Sequence, residues 1–162
     1  MDADVLVVRS FTPLRMFHFV IGRETSYGLC NGTMVAERGA PFLRLLLEQY
    51  HSYLSSNELW NRKSVFNADR LASLYPHLVH VEETTLNRPN WGEKARIYDG
   101  WYNWTQNYAV HLWMRMWPYE KRPIGVEDIL TRNTTIGELA RRVIFGSHEV
   151  RNISTHTTSP QI

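Results

Sequence analysis

Cysteine is almost missing from this chain: Cys30 is the single one in 162 residues, which excludes an internal disulfide framework and any zinc site built on several thiolates. An excess of charge of one sign is missing as well. Lys and Arg number 18 against 16 Asp and Glu, for a formal net charge of +2. No same-sign run gathers these charges into a stripe, so nucleic acid is not the expected partner. No stretch reaches the roughly 20 apolar residues that cross a bilayer, and the chain is expected to carry no membrane span or anchor of its own. The N-terminus does not read as a signal peptide either, because Asp2 and Asp4 stand where basic residues belong and the apolar run at 5–8 is too short.

What is present describes a folding chain. Hydrophobic residues make up 43% and charged residues 21%, an ordinary globular balance that excludes a disordered polyelectrolyte. The length suits one domain rather than two, with roughly 70% of the unfolded surface available for burial. Aromatic residues reach 12%, with six Trp, and part of that surplus is expected to serve a binding surface, since sugars and nucleobases both stack on such rings. Asn-x-Ser/Thr acceptors at Asn31, Asn103, Asn133 and Asn152 exceed the roughly one or two expected by chance and point to luminal ancestry.

Periodicity gives the expected elements. The run 4–9 is short and β-branched and reads as a strand covered on both faces. Strands are also expected at 17–21 and 31–37, with a loop between them where Gly22, Ser26 and Gly28 fall. Pro41 begins an amphipathic helix at 41–54, and a second at 64–75 stops before Pro76. Further strands are expected at 78–82 and 108–113, the latter placing Ala109, His111 and Trp113 on one face. A loop falls at 85–92, a short helix at 126–131, and a last helix capped by Thr134 or Thr135 runs through Phe145. The polar segment 146–162 is expected to be a disordered tail.

Asp2-Ala3-Asp4 sets two carboxylates two residues apart, on one face of an extended segment. Carboxylate oxygens suit Mg²⁺ or Mn²⁺, and such an ion can bridge to a diphosphate and neutralise its charge as it leaves. The tripeptide alone is common in proteins. It is followed, in order, by Asn31-Gly-Thr-Met-Val-Ala-Glu37 with Pro41-Phe-Leu43, by Pro76-His-Leu-Val-His-Val-Glu82, and by Asn107-Tyr-Ala-Val-His-Leu-Trp113. These blocks resemble the glycosyltransferases with a DXD sugar-binding region, which include α-1,4-galactosyl- and α-1,4-N-acetylglucosaminyltransferases of the Golgi, and the resemblance covers residues 1–145.

The resemblance implies an α/β GT-A (Rossmann-like) domain, a mixed sheet flanked by helices. It further implies a nucleotide-sugar donor (usually a UDP-sugar), a divalent cation, Mn²⁺ or Mg²⁺, and retaining transfer of a hexose or N-acetylhexosamine to a glycolipid or glycoprotein. Residue by residue, it implies that Asp2 and Asp4 hold the cation and that His111 completes the metal shell. Asn31 and Gly32 would contact the donor sugar, the first through its amide and the second through close backbone approach, with Trp113 covering the donor. Trp91, Trp101 and Trp104 lie on a loop-rich segment where indole faces would receive an acceptor sugar. Arg88 and Lys94, flanking Trp91, are candidates to meet phosphate. No nucleophile stands out, Glu37, Asp69 and Glu82 being candidates by chemistry only.

In that family the DXD follows a nucleotide-binding βαβ portion, and the enzymes are type II membrane proteins of the Golgi lumen. Here the motif begins at residue 2. The resemblance therefore implies the C-terminal part of a catalytic domain, 1–145, with the upstream portion missing, no catalysis by this chain alone, and self-association through an uncovered first strand. Two other readings remain open: a carbohydrate-binding remnant without catalysis, and a metal-dependent hydrolase built on Asp2, Asp4 and His111.

Overall fold

A computed structural model of the protein describes residues 1–26, 28–53, 62–116, 125–147 and 149. The chain divides into two compact units, Met1–Lys94 with Asn103–Met116, and Ala95–Tyr102 with Trp117–Ile162. The described residues form a mixed α/β structure. Most of the segment expected to be a disordered tail, 150–162, lies outside them.

In the first unit, β2 (Phe19–Thr25), β3 (Gly28–Ala36) and β4 (His80–Glu82) make a three-stranded mixed sheet in the order β3-β2-β4. The β2–β3 pair is antiparallel and the β2–β4 pair parallel. Side chains alternate across a strand, so β2 sends Phe19 and Ile21 to one face and Val20 to the other. Phe19 and Ile21 pack with Phe42 and Leu46 of α1 (Pro41–Tyr53) and Leu71 of α2 (Asn67–Leu74), and the Phe19 and Phe42 rings lie 5.0 Å apart. Val20 packs on the opposite face with Val5, Leu14, Leu86 and Ala109. Burial on both faces thus belongs to the apolar start of β2.

The first strand differs from expectation. β1 is only Val5–Val7, it pairs antiparallel with β5 (Ala109–His111), and Val7 is exposed. With β5 as its one strand partner among the described residues, the run buries Val5 and leaves Val7 exposed. The loop expected around Gly22 and Gly28 is mostly strand. Gly22 sits at a register shift between β2 and β3, and a side chain there would come within 2.1 Å of Asn87 Nδ2 and 2.8 Å of Leu86 Cβ. The glycine marks a bulge and a close approach inside a strand rather than its end.

The helices at 41–53 and 67–74 fall where periodicity puts them, the second preceded by a π-turn at Arg62–Phe66. The expected strand at 78–82 begins only at His80, after a 3₁₀ turn, Pro76–Leu78.

The second unit contains α3 (Ala95–Tyr98), α4 (Val126–Thr131) and α5 (Thr135–Phe145). Thr134 occupies the N-cap position of α5 without a side-chain capping bond. The neighbouring Thr135 ties the helix start down instead, accepting from the Tyr102 N–H (2.8 Å) while its own N–H donates to the Gly100 carbonyl (3.0 Å). Gly146 ends the helix at φ +70°, the left-handed conformation that glycine adopts without strain. Arg141 is fully buried, and its Nη1 donates to the carbonyls of Ile129 and Arg132, 2.8 Å each.

Candidate metal centre and its cavity

The pairing of β1 with β5 brings the two ends of the first unit together. Val5 stands opposite His111, and the Leu112 N–H donates to the Asp4 carbonyl at 2.8 Å. On the other side the Asp2 N–H donates to the Gly32 carbonyl of β3 at 2.7 Å. Asp2 and Asp4 precede β1, with Ala3 and Asp4 in a turn, so they do not share one face of a strand as the tripeptide suggests. The turn nevertheless directs both carboxylates at one imidazole: His111 Nε2 lies 3.1 Å from Asp4 Oδ1 and 3.9 Å from Asp2 Oδ2.

One ligand atom from each of Asp2, Asp4 and His111 lies within 4.8 Å of the other two. Octahedral ligands about 2.1 Å from a small divalent cation are separated by about 3.0 Å when adjacent and about 4.2 Å when opposite. The 3.1 Å contact therefore matches an adjacent pair, and the 3.9 Å contact falls between the two limits. These three side chains can hold a metal ion.

The strand carrying His111 ends in a conformation that serves this cluster. Trp113 adopts φ +53°, a left-handed backbone that bulky residues rarely tolerate and that costs on the order of 1–3 kcal/mol. Its indole stacks on the His111 ring, with centroids 3.8 Å apart and planes 21° from parallel, and its Nε1 donates to the Pro89 carbonyl at 2.9 Å. The next N–H, that of Met114, donates to Asp4 Oδ2 at 2.9 Å. The turn thus clamps the imidazole and one carboxylate at the same time. Burial pushes the His111 pKa down, against the opposing charges of Asp4 and Asp2. The neutral imidazole, the form with a lone pair free for a metal, is favoured at neutral pH.

Behind the imidazole sits Cys30. Its Sγ lies 3.9 Å from His111 Nδ1 and accepts the Gly32 N–H at 3.3 Å. Burial, reinforced by the charge of Glu24, pushes the thiol up to about 12, so Cys30 stays protonated and is neither an anionic ligand nor a nucleophile at neutral pH.

A cavity of about 320 Å³ opens beside the cluster, lined in part by Asp2, His111, Glu24, Asn31, Trp91 and Trp113. Asn31, which also lines this cavity, donates from Nδ2 to the Tyr50 hydroxyl at 3.1 Å. Thr33, the third residue of its glycosylation motif, is fully buried, so the folded chain cannot present that motif to a glycosylating enzyme. Gly32 touches the cluster: a side chain there would meet His111 at 3.0 Å and Asp2 Oδ2 at 3.1 Å.

The tryptophans separate. Trp91 is partly exposed on the cavity wall, Trp104 is buried, and Trp101 is exposed and belongs to the second unit. Arg88 pairs with Glu93 at 2.7 Å, and Lys94 Nζ donates to the Trp91 carbonyl. The carboxylates that chemistry alone nominated are engaged elsewhere: Glu37 with His18 (2.5 Å), Asp69 with Arg23 (2.5 Å), and Glu82 with His80 (2.8 Å) and Thr85.

Besides Asp2, Glu24 also brings a carboxyl to the cavity lining, within the stretch expected to be a loop. It is 8% exposed. Burial pushes its pKa up, partly offset by a hydrogen bond from the Cys30 thiol. Its available signal was the continuation of the Phe19–Ile21 pattern past Gly22 as Arg-Glu-Thr, a polar stretch of strand between two glycines. The chain has no match among protein-family models, curated proteins or solved structures.

Proposed function

We propose that this chain is a metal-dependent glycosyltransferase of GT-A type, taking a nucleotide-sugar donor, such as a UDP-sugar, and a glycan or glycolipid acceptor. The observation that carries the reading is the Asp2–Asp4–His111 cluster at the edge of a cavity walled by Trp91 and Trp113. A hard-cation ligand set beside aromatic faces is suited to a ligand with a phosphate end and a sugar end.

In this reading Asp2, Asp4 and His111 would hold Mn²⁺ or Mg²⁺, and the ion would supply positive charge toward a diphosphate leaving group. Asn31 offers its amide to sugar hydroxyls, and the partly exposed indole of Trp91 offers its face to the C–H face of the ring. Trp113 acts through His111, holding the ring by stacking and leaving Asp4 fixed by the Met114 N–H.

The test is UDP release by the full chain, with a panel of UDP-sugars and oligosaccharide acceptors, at increasing Mn²⁺. Metal-dependent donor binding that Asp4→Asn abolishes is expected, and metal-stimulated UDP release on top of it would assign transfer to this chain by itself. Metal-dependent binding of the sugar nucleotide in ligand-observed NMR without turnover would instead leave a carbohydrate-binding protein. Absence of metal-dependent binding would overturn both readings.

A further inference from the structure

Glu24 presents an unusual combination. A charged carboxyl more than nine-tenths buried is normally paired with a cation, yet among the described residues Glu24 has no ion-pair partner, its one polar contact being the Cys30 thiol. Glu24 lines the same cavity as Asp2, His111 and Asn31. A second carboxyl-bearing wall therefore faces the space that the cation cluster borders. Most of the remaining lining is apolar, including Val65, Phe66, Trp91 and Trp113.

We propose that Glu24 is the sugar-recognition carboxylate of this cavity, accepting hydrogen bonds from ring hydroxyls of a sugar phosphate whose phosphate lies at the Asp2–Asp4–His111 cluster. The inference rests on the glycosyltransferase reading and adds to it the residue that selects the sugar half of the donor. A carboxylate accepts from two neighbouring hydroxyls at once and donates to none. Apolar and aromatic walls accommodate the C–H faces of a pyranose. A ligand bringing hydroxyl donors satisfies Glu24, whereas a bare phosphate or diphosphate leaves it as it is. The class selected is therefore sugar 1-phosphates and their nucleotide esters with free ring hydroxyls.

The test compares two probes on the intact chain in the presence of Mg²⁺, by calorimetry and ligand-observed NMR. Pyrophosphate reads the cation cluster alone, and galactose 1-phosphate or glucose 1-phosphate reads the cluster together with the sugar wall. Glu24→Gln keeps the shape of the side chain and Glu24→Leu removes its polar atoms, with circular dichroism establishing that both are folded. Both variants are expected to bind pyrophosphate as the wild type does, and Glu24→Leu to lose about tenfold in sugar phosphate affinity, the worth of a hydrogen bond to a charged group. Glu24→Gln should lose less. Unchanged sugar phosphate affinity in both variants, with pyrophosphate still bound, would overturn the inference and leave the glycosyltransferase reading standing. Failure of both probes to bind wild-type protein with Mg²⁺ would overturn that reading and the inference with it.

Discussion

The α-carbon of Gly32 packs against the imidazole of His111 so closely that a methyl group placed on it would lie 3.0 Å from both Cε1 and Nδ1. The same methyl would stand 3.1 Å from Asp2 Oδ2. Gly32→Ala should therefore push two of the three candidate ligands outward by a few tenths of an ångström while leaving the core intact. Mn²⁺ affinity, followed by electron paramagnetic resonance, is expected to fall about tenfold or more, with a small change in melting temperature. Wild-type affinity in this variant would show that the cluster does not need its present spacing.

Asp2 and Asp4 should separate metal binding from stability. Asp2 is 56% exposed, so Asp2→Asn is expected to weaken Mn²⁺ binding at little cost to the fold. Asp4 also accepts the Met114 N–H and faces His111 Nε2, and Asp4→Asn is expected to lose both Mn²⁺ affinity and about 1–3 kcal/mol of stability. Equal melting temperatures for the two variants would count against this difference.

Glu24 should reveal itself in the pH dependence of unfolding. Its folded pKa is raised above the unfolded value, so the folded state binds the proton more tightly. The stability linked to this group is present below the unfolded pKa and is lost as pH rises through the folded one. Glu24→Gln removes that loss. The variant should melt higher than wild type at pH 7, by about 2–4 °C for each kcal/mol regained, and the gap should close near pH 4. A variant less stable than wild type at pH 7 would mean that the charge is compensated in the fold.

In the second unit, Arg141→Met keeps much of the apolar bulk but leaves the carbonyls of Ile129 and Arg132 without the guanidinium that now bridges them. Calorimetric unfolding is expected to show a loss of about 1–3 kcal/mol, the order of two part-buried acceptors losing a charged donor. A shift within 1 °C, roughly the measurement scatter for so small a change, would show that water takes over the bridge.

Local chemistry made much of this structure legible in advance. The helices at 41–53, 126–131 and 135–145 follow from apolar spacing, Pro41 and Gly146, and the last two match the expected bounds. Gly22 misled because a glycine that relieves a bulge inside a paired strand looks, along one chain, like a glycine that ends it. Asn87, whose approach demands that glycine, lies 65 positions away, and no local window contains it. The site shows the same division. Asp2 and Asp4 stand out by residue type and spacing, His111 only through the resemblance to the DXD glycosyltransferases, and the three do converge. Glu24 and Cys30 carried no motif, because what sets them apart is burial, Cys30 behind the His111 ring and Glu24 at the cavity wall, a property of the folded chain rather than of spacing. The tryptophans show the limit of composition: Trp91 and Trp113 reach the cavity, while Trp104 is spent on the core.

Asp4 and His111, which touch at 3.1 Å, are 107 positions apart. The three paired residues of β1 and β5 that hold them together therefore close nearly the whole first unit into a ring, with the site at the clasp. Such a closure is entropically costly to form and adds little further cost as the ring lengthens. The ligand set cannot exist until the intervening sheet and helices are in place, and an ion seated there would tie the two ends of the ring and raise the melting temperature with its concentration. A single backbone cut between β1 and β5 would open the clasp into two pieces whose reunion depends on protein concentration, so dilution alone would erase the site.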